Sequence, residues 1–143
     1  MVSDAAGGHS RRMPPRVAVI DDDEGFRRVA VLLLTTRGYQ VVGEAADERS
    51  GARLVERTRP DAVLVDRHLP DEDGASLCRR LAPLPRPPRV LMTSSDSEPG
   101  SDALYPLVPK ECLADIDLGV YLGTVHGTHN GLDTWFVPPC RTR

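Results

Sequence analysis

Val17-Ala18-Val19-Ile20 runs straight into Asp21-Asp22-Asp23-Glu24: four apolar residues, then four carboxylates, with no turn residue between them. An uninterrupted apolar run of this length reads as a strand buried on both faces, the kind found in parallel sheets. Downstream, Phe26, Val29, Ala30 and Leu33 keep helical spacing, and Gly38 supplies the stop. Tyr39 to Gly43 reads as a second strand, and Asp47 caps a second helix running to about Thr58. Arg59-Pro60-Asp61 breaks that helix before Ala62-Val63-Leu64-Val65, a third strand ending at Asp66. A polar loop, Arg67 to Asp73, leads to Gly74 and a short helix through Leu77, Cys78 and Leu81.

The proline-rich segment Pro83 to Pro88 cannot be helical and serves as a connector. Arg89-Val90-Leu91-Met92 is the fourth strand, ending at Thr93. Leu104 to Val108 reads as the fifth, followed by Lys110 and a helix from about Glu111 to Leu122. Apolar strands alternating with amphipathic helices predict an α/β fold: a doubly wound, five-stranded parallel sheet with helices on both faces. Residues 1–15 are rich in Gly, Ser, Arg and Pro and are expected to be disordered. The domain is expected over 16–122, with 123–143 a tail lacking any period and contributing little to the fold.

Composition narrows the function. The chain has 143 residues, enough for one cored domain, and 40% apolar with 27% charged residues is ordinary for a soluble globular protein. A net charge of −3 with interspersed signs argues against gripping phosphate backbones. Cys78, Cys112 and Cys140 form no CxxC pair, and an odd, sparse set suits a reducing cytoplasm. The longest apolar run, Val29 to Leu34, cannot cross a bilayer. These features predict a cytoplasmic protein.

The chemistry gathers at the strand ends. Strand one delivers Asp21 and Asp22, strand three Asp66, strand four Thr93, and strand five the chain's lone lysine, Lys110. In open α/β sheets those carboxyl ends line the ligand crevice. Three crowded carboxylates need a cation to stay ionised, and an all-oxygen pocket open to water suits Mg²⁺. With a cation clamping a phosphoryl oxygen, one carboxylate can attack phosphorus and form an aspartyl-phosphate. Thr93 and Lys110 can meet the remaining phosphoryl oxygens.

Val19-Ile20-Asp21-Asp22, the segment from Asp66 to Gly74, Thr93-Ser94-Ser95 and Val108-Pro109-Lys110 together resemble the receiver domain of two-component response regulators. The resemblance spans roughly residues 16–122 and implies a flavodoxin-like receiver fold. It implies that Asp66 accepts a phosphoryl group, that Asp22 and Asp66 bind Mg²⁺ directly, and that Asp21 supports the metal through water. The backbone carbonyl of His68 would complete the metal shell, Thr93 would be the switch hydroxyl, and Lys110 the phosphate partner. A sensor histidine kinase or phosphotransfer protein would be the donor, and a further protein the downstream partner.

Thr93 and Lys110 stand 110 − 93 = 17 positions apart, fewer than the family normally uses, so the fourth helix is expected to be short or absent. Leu107 stands where many receivers carry a Tyr or Phe that rotates on phosphorylation, and Glu111 replaces the frequent proline after the lysine. No helix-turn-helix follows residue 122, so no nucleic acid is expected to bind this chain, nor a membrane.

Two other readings stand beside this one. Asp21-Asp22-Asp23 after an apolar strand also resembles the start of haloacid dehalogenase-type phosphohydrolases, with Asp21 as nucleophile and Asp23 as acid/base. Those enzymes need a further acidic pair after another strand, whereas Asp115 and Asp117 fall on the expected last helix. The third reading is a receiver-like module that binds partners without phosphorylation. A zinc site from His126, His129, Asp133 and Cys140 fits no closed tetrahedral spacing and is set aside.

Overall fold

The computed structural model describes residues 13–95 and 105–125. Five strands form one sheet: β1 (Arg16–Ile20), β2 (Gln40–Ala45), β3 (Ala62–Asp66), β4 (Arg89–Ser94) and β5 (Leu107–Pro109). Their order is β2-β1-β3-β4-β5, every pairing is parallel, and a helix joins each of the first three strands to the next. The doubly wound sheet expected from the alternation of apolar runs is therefore present.

Side chains along each strand alternate between two buried layers, as a pleated sheet requires. Val17, Val19, Leu64, Leu91 and Val108 face one layer, together with Ala30 and Leu34 of α1 (Glu24–Thr36). The same layer takes Leu118, Tyr121 and Leu122 of the short last helix α4 (Leu118–Leu122). Ala18, Ile20, Val63 and Val65 face the opposite layer, filled by Leu54 and Val55 of α2 (Glu48–Thr58). Leu77 and Leu81 of α3 (Gly74–Leu81) complete it. Gly51 lets α2 lie close over the sheet, because a Cβ there would meet the Ile20 side chain at 3.0 Å.

Several boundaries and faces differ from the sequence reading. Of the expected face of α1, Ala30 is buried and Phe26 and Leu33 pack partly buried against the same layer, whereas Val29 is exposed and Leu34, one turn after Ala30, is buried in its place. The fifth strand is short and runs Leu107–Pro109, starting only after Pro106, which has no amide hydrogen to give the ladder. The single last helix splits into a 3₁₀ segment, Lys110–Asp115, and α4. The break is local: Asp117 caps α4 by accepting from the Gly119 N–H at 3.0 Å. Cys78 and Cys112 are both buried, while Cys140 lies outside the described residues.

The edges of the domain also shift. The Pro15 carbonyl accepts from the Gln40 N–H at 3.0 Å, so the end of the expected lead-in is tied to β2. Tyr39 donates to the Gly123 carbonyl at 2.8 Å, and Val125 packs against the core beside Gly38. Burial pushes the Tyr39 phenol up to about 12, with Asp117 adding to the effect. The shortened fourth helix falls on residues 96–104, and most of the lead-in and tail on 1–12 and 126–143; these lie outside the described residues. So do the histidines and Cys140 of the set-aside zinc reading.

Candidate functional site

The sheet order reverses beside β1, which has β2 on one side and β3 on the other. At such a switch point the following connections part to opposite faces and leave a crevice over the strand ends. β1 stops into Asp21 and Asp22, and β3 ends on Asp66, so the reversal alone brings the three carboxylates together. Each offers an oxygen such that these atoms lie within 4.8 Å of one another, with Asp21 and Asp66 buried and Asp22 exposed. β4 pairs with β3 in a register that sets Thr93 beside Asp66, and β5 sets Val108 beside Thr93. Lys110 follows two residues later and turns its ammonium into the crevice.

Local bonds hold these groups in place. Asp21 Oδ1 accepts from the Asp23 N–H at 2.8 Å, and the Asp21 carbonyl accepts from Arg27 Nη1 at 2.7 Å. Arg27 is braced in turn by Glu44 at 3.0 Å. Asp66 Oδ1 accepts from the His68 N–H at 3.0 Å. The Lys110 Nζ sits 2.8 Å from Asp21 Oδ2 and donates to Asp66 Oδ2 at 3.3 Å. Among the described residues the ammonium is the one partner of Asp21 Oδ2. Thr93 Oγ1 is buried with no hydrogen-bond partner among the described residues.

The electrostatics follow from crowding and burial. Burial raises the Asp66 carboxyl above the ordinary carboxylate range; the His68 N–H pulls it down, the Asp21 charge pushes it up again, and Lys110 lowers it. Burial alone would lower the Lys110 ammonium below the ordinary lysine value, but its contacts with Asp21 and Asp66 outweigh that and raise it. One ammonium thus balances two buried carboxylates, and the exposed Asp22 adds a third negative group. An all-oxygen cluster with one solvent-facing member fits a hard divalent cation that keeps part of its water shell. The orphaned Thr93 hydroxyl fits a phosphoryl oxygen, since a buried hydroxyl without a partner is costly until an acceptor arrives.

The loop from Asp66 to Gly74 is closed tightly. The Gly74 N–H donates to the Arg67 carbonyl at 2.7 Å, and Asp73 caps α3 by accepting from the Ser76 N–H at 2.8 Å. A Cβ on Gly74 would collide with the Asp66 carbonyl and stand 3.0 Å from Met92 Cε. Gly74→Ala is therefore expected to cost about 1–3 kcal/mol of stability through forced backbone movement. Urea unfolding should show a lower midpoint, and an unchanged midpoint would mean the loop yields freely.

Some residues the sequence reading passed over take part. Asp71 reaches from this loop to cap α2, accepting from the Glu48 N–H at 2.9 Å and the Arg49 N–H at 3.3 Å. Glu48 pairs with Arg80 of α3 at 3.0 Å, a second tie across the same face. Phe26 places its ring 4.6 Å from the Lys110 ammonium. None carries a local sequence signal, because each contact joins segments far apart in the chain. Asp23 is occupied as the N-cap of α1, accepting from the Phe26 N–H at 3.2 Å. Asp115 closes the 3₁₀ segment and Asp117 caps α4, rather than both lying within one helix.

A family model described as the response regulator receiver domain matches residues 17–104. Among curated proteins, the transcriptional regulatory protein AfsQ1 of Streptomyces coelicolor is 30% identical over 129 residues, which cover 90% of this chain and 47% of that protein. A protein-glutamate methylesterase/protein-glutamine glutaminase of Anaeromyxobacter dehalogenans is 38% identical over 93 residues, 64% of this chain and 27% of that enzyme. The chain thus spans less than half the length of these relatives. Among solved structures, the signal receiver domain of the putative response regulator NarL from Mycobacterium tuberculosis superposes with a TM-score of 0.65 at 29% identity. That match covers 73% of this chain and 90% of the other. A CheY-like receiver domain from Methylobacillus flagellatus, 21% identical, shares the fold with a TM-score of 0.60 over 67% of this chain and 85% of its own.

Proposed function

Because the chain belongs to the response regulator receiver domain family, we propose that it is a phosphorylation switch in which Asp66 accepts a phosphoryl group from a histidine kinase or phosphotransfer protein. The observation that carries this reading is the Lys110 ammonium bridging Asp66 at 3.3 Å and Asp21 at 2.8 Å, beside the unpartnered Thr93 hydroxyl. Asp66 has an acidic cluster on one side and two groups able to meet phosphoryl oxygens on the other. In the transfer, an Asp66 carboxylate oxygen forms the new bond to phosphorus. The donor's phosphorus–nitrogen bond breaks, and its electron pair stays on the imidazole, which then takes a proton.

Asp21, Asp22 and Asp66, with the His68 carbonyl, are the groups we assign to Mg²⁺, which when bound would neutralise charge on the incoming phosphoryl group. Lys110 is assigned to a phosphoryl oxygen by a charge-assisted hydrogen bond, and Thr93 Oγ1 to another. The domain is assigned to 16–122, with Pro15, Gly123 and Val125 tied to its edges, and is read as a regulatory module in the cytoplasm rather than an enzyme. Among the described residues no helix is long and apolar enough to cross a membrane.

The alternative phosphohydrolase reading would place the covalent phosphate on Asp21. Asp21 is nearly fully buried and bonded to Lys110 and the Asp23 N–H, and Asp23 is spent as a helix cap, so this geometry favours Asp66. The test is to incubate the chain with acetyl phosphate and Mg²⁺, trap the acyl phosphate by borohydride reduction, and map the modified residue by mass spectrometry. Modification at Asp66 is the expected result. Modification at Asp21 with steady release of phosphate would establish the hydrolase instead.

A further inference from the structure

Phe26 sits in the first turn of α1, three residues after the Asp23 cap. Its backbone N–H is fixed by the Asp23 carboxylate at 3.2 Å, and its half-buried ring packs on the apolar layer beneath α1. The centroid of that ring lies 4.6 Å from the Lys110 Nζ. The same nitrogen faces Asp21 at 2.8 Å and Asp66 at 3.3 Å, and the Lys110 side chain is only 15% exposed. An ammonium at this distance from a ring centroid is attracted by the negative face of the ring, more strongly when water is excluded.

We propose that Phe26 is the positioning residue for Lys110: its ring face holds the ammonium at the bridge between Asp21 and Asp66, so that the cation is set before a phosphoryl group arrives. Lysine carries four rotatable bonds, and freezing them has an entropic cost that must otherwise be met during the transfer itself. The two carboxylates draw the ammonium by charge and hydrogen bonding. The ring supplies a further wall that attracts the cation without competing as a hydrogen-bond acceptor. Because the ring rides on the cap of α1, the path from Asp23 through Phe26 to Lys110 ties the start of α1 to the start of the 3₁₀ segment.

The role in phosphoryl acceptance rests on the reading of Asp66 as the acceptor; the placement of Lys110 by the ring does not. Two measurements separate them. Lys110 is the only lysine in the chain, so lysine-selective ¹³C labelling yields one ε-methylene signal. In the unphosphorylated protein that signal should lie upfield through the ring current, and Phe26→Leu, which keeps apolar bulk, should return it to the ordinary lysine position. Second, fluorinated phenylalanines introduced at position 26 alone weaken the ring's negative face stepwise while nearly preserving its shape. The rate of Asp66 phosphorylation by acetyl phosphate should fall with each added fluorine, reaching about three- to tenfold for the pentafluoro ring.

In a Lys110→Ala background the same series should be flat. A wild-type ε-methylene at its ordinary position would overturn the proposal. So would a rate indifferent to fluorination, or one declining equally without Lys110, since packing alone would then explain Phe26. If the wild-type chain took no phosphate at all, the acceptor reading would fall, and the ring-current shift would still decide whether Phe26 holds Lys110.

Discussion

Asp66→Asn is expected to reduce phosphoryl uptake to background while leaving the fold intact. The amide oxygen of asparagine can still accept the His68 N–H that Asp66 Oδ1 now accepts at 3.0 Å, so the loop keeps its anchor. What disappears is the nucleophile, because a neutral amide oxygen does not attack phosphorus under these conditions. Removing this carboxylate also relieves the folded state, since burial already holds Asp66 above the ordinary carboxylate range. The variant should therefore unfold at a urea midpoint no lower than that of the wild type. Mg²⁺ affinity should weaken but persist, because Asp21 and Asp22 remain. Asp22→Ala should instead lose both uptake and metal binding, since it removes the solvent-facing member of the cluster. Intact-mass spectrometry after acetyl phosphate treatment, with Mg²⁺ titrations alongside, separates these outcomes. Sustained uptake by Asp66→Asn would move the acceptor elsewhere.

The strand-end cluster was legible in the sequence because its placement depends on two local facts: where an apolar run stops, and what residue comes next. Ile20 followed by Asp21, and Val65 followed by Asp66, need no knowledge of distant contacts. Thr93 and Lys110 were found the same way, one strand at a time. The faces of α1 were harder, since a run of Val31, Leu32, Leu33 and Leu34 offers several apolar stripes at helical spacing. Only packing against the sheet selects Ala30 and Leu34 and leaves Val29 and Leu32 exposed. The last helix misled because Asp115, Ile116 and Asp117 are tolerated within a helix by propensity, while capping by Asp117 favours a restart. Phe26 against Lys110, and Asp71 against α2, join residues 84 and 23 positions apart (110 − 26 and 71 − 48), and nothing in one segment announces the other.

Lys110→Ala should be the costliest single change in the pocket when divalent cations are absent. It leaves Asp21, 1% exposed, and Asp66, 7% exposed, without the cation that now touches both. Removing one partner from a buried charge cluster costs about 3–5 kcal/mol, mostly through the charge left behind. The loss should depend on pH in a direction fixed by Asp66. Its carboxyl is already raised above 3.8, by burial foremost, and losing Lys110 removes an influence that lowers it. A raised acid contributes stability that is complete below its unfolded value and is lost as pH climbs through its folded value. The deficit of Lys110→Ala against wild type should therefore be small near about pH 4 and open as pH rises toward about 7. Millimolar Mg²⁺ should close much of it at neutral pH, because a cation that binds only the folded cluster stabilises it by mass action. Urea titrations at the two pH values, each with chelator and with Mg²⁺, supply the check. A deficit that widens toward acid, or that Mg²⁺ leaves untouched, would mean that Lys110 is not the counter-charge of this cluster and that Asp21 and Asp66 are kept ionised by something else.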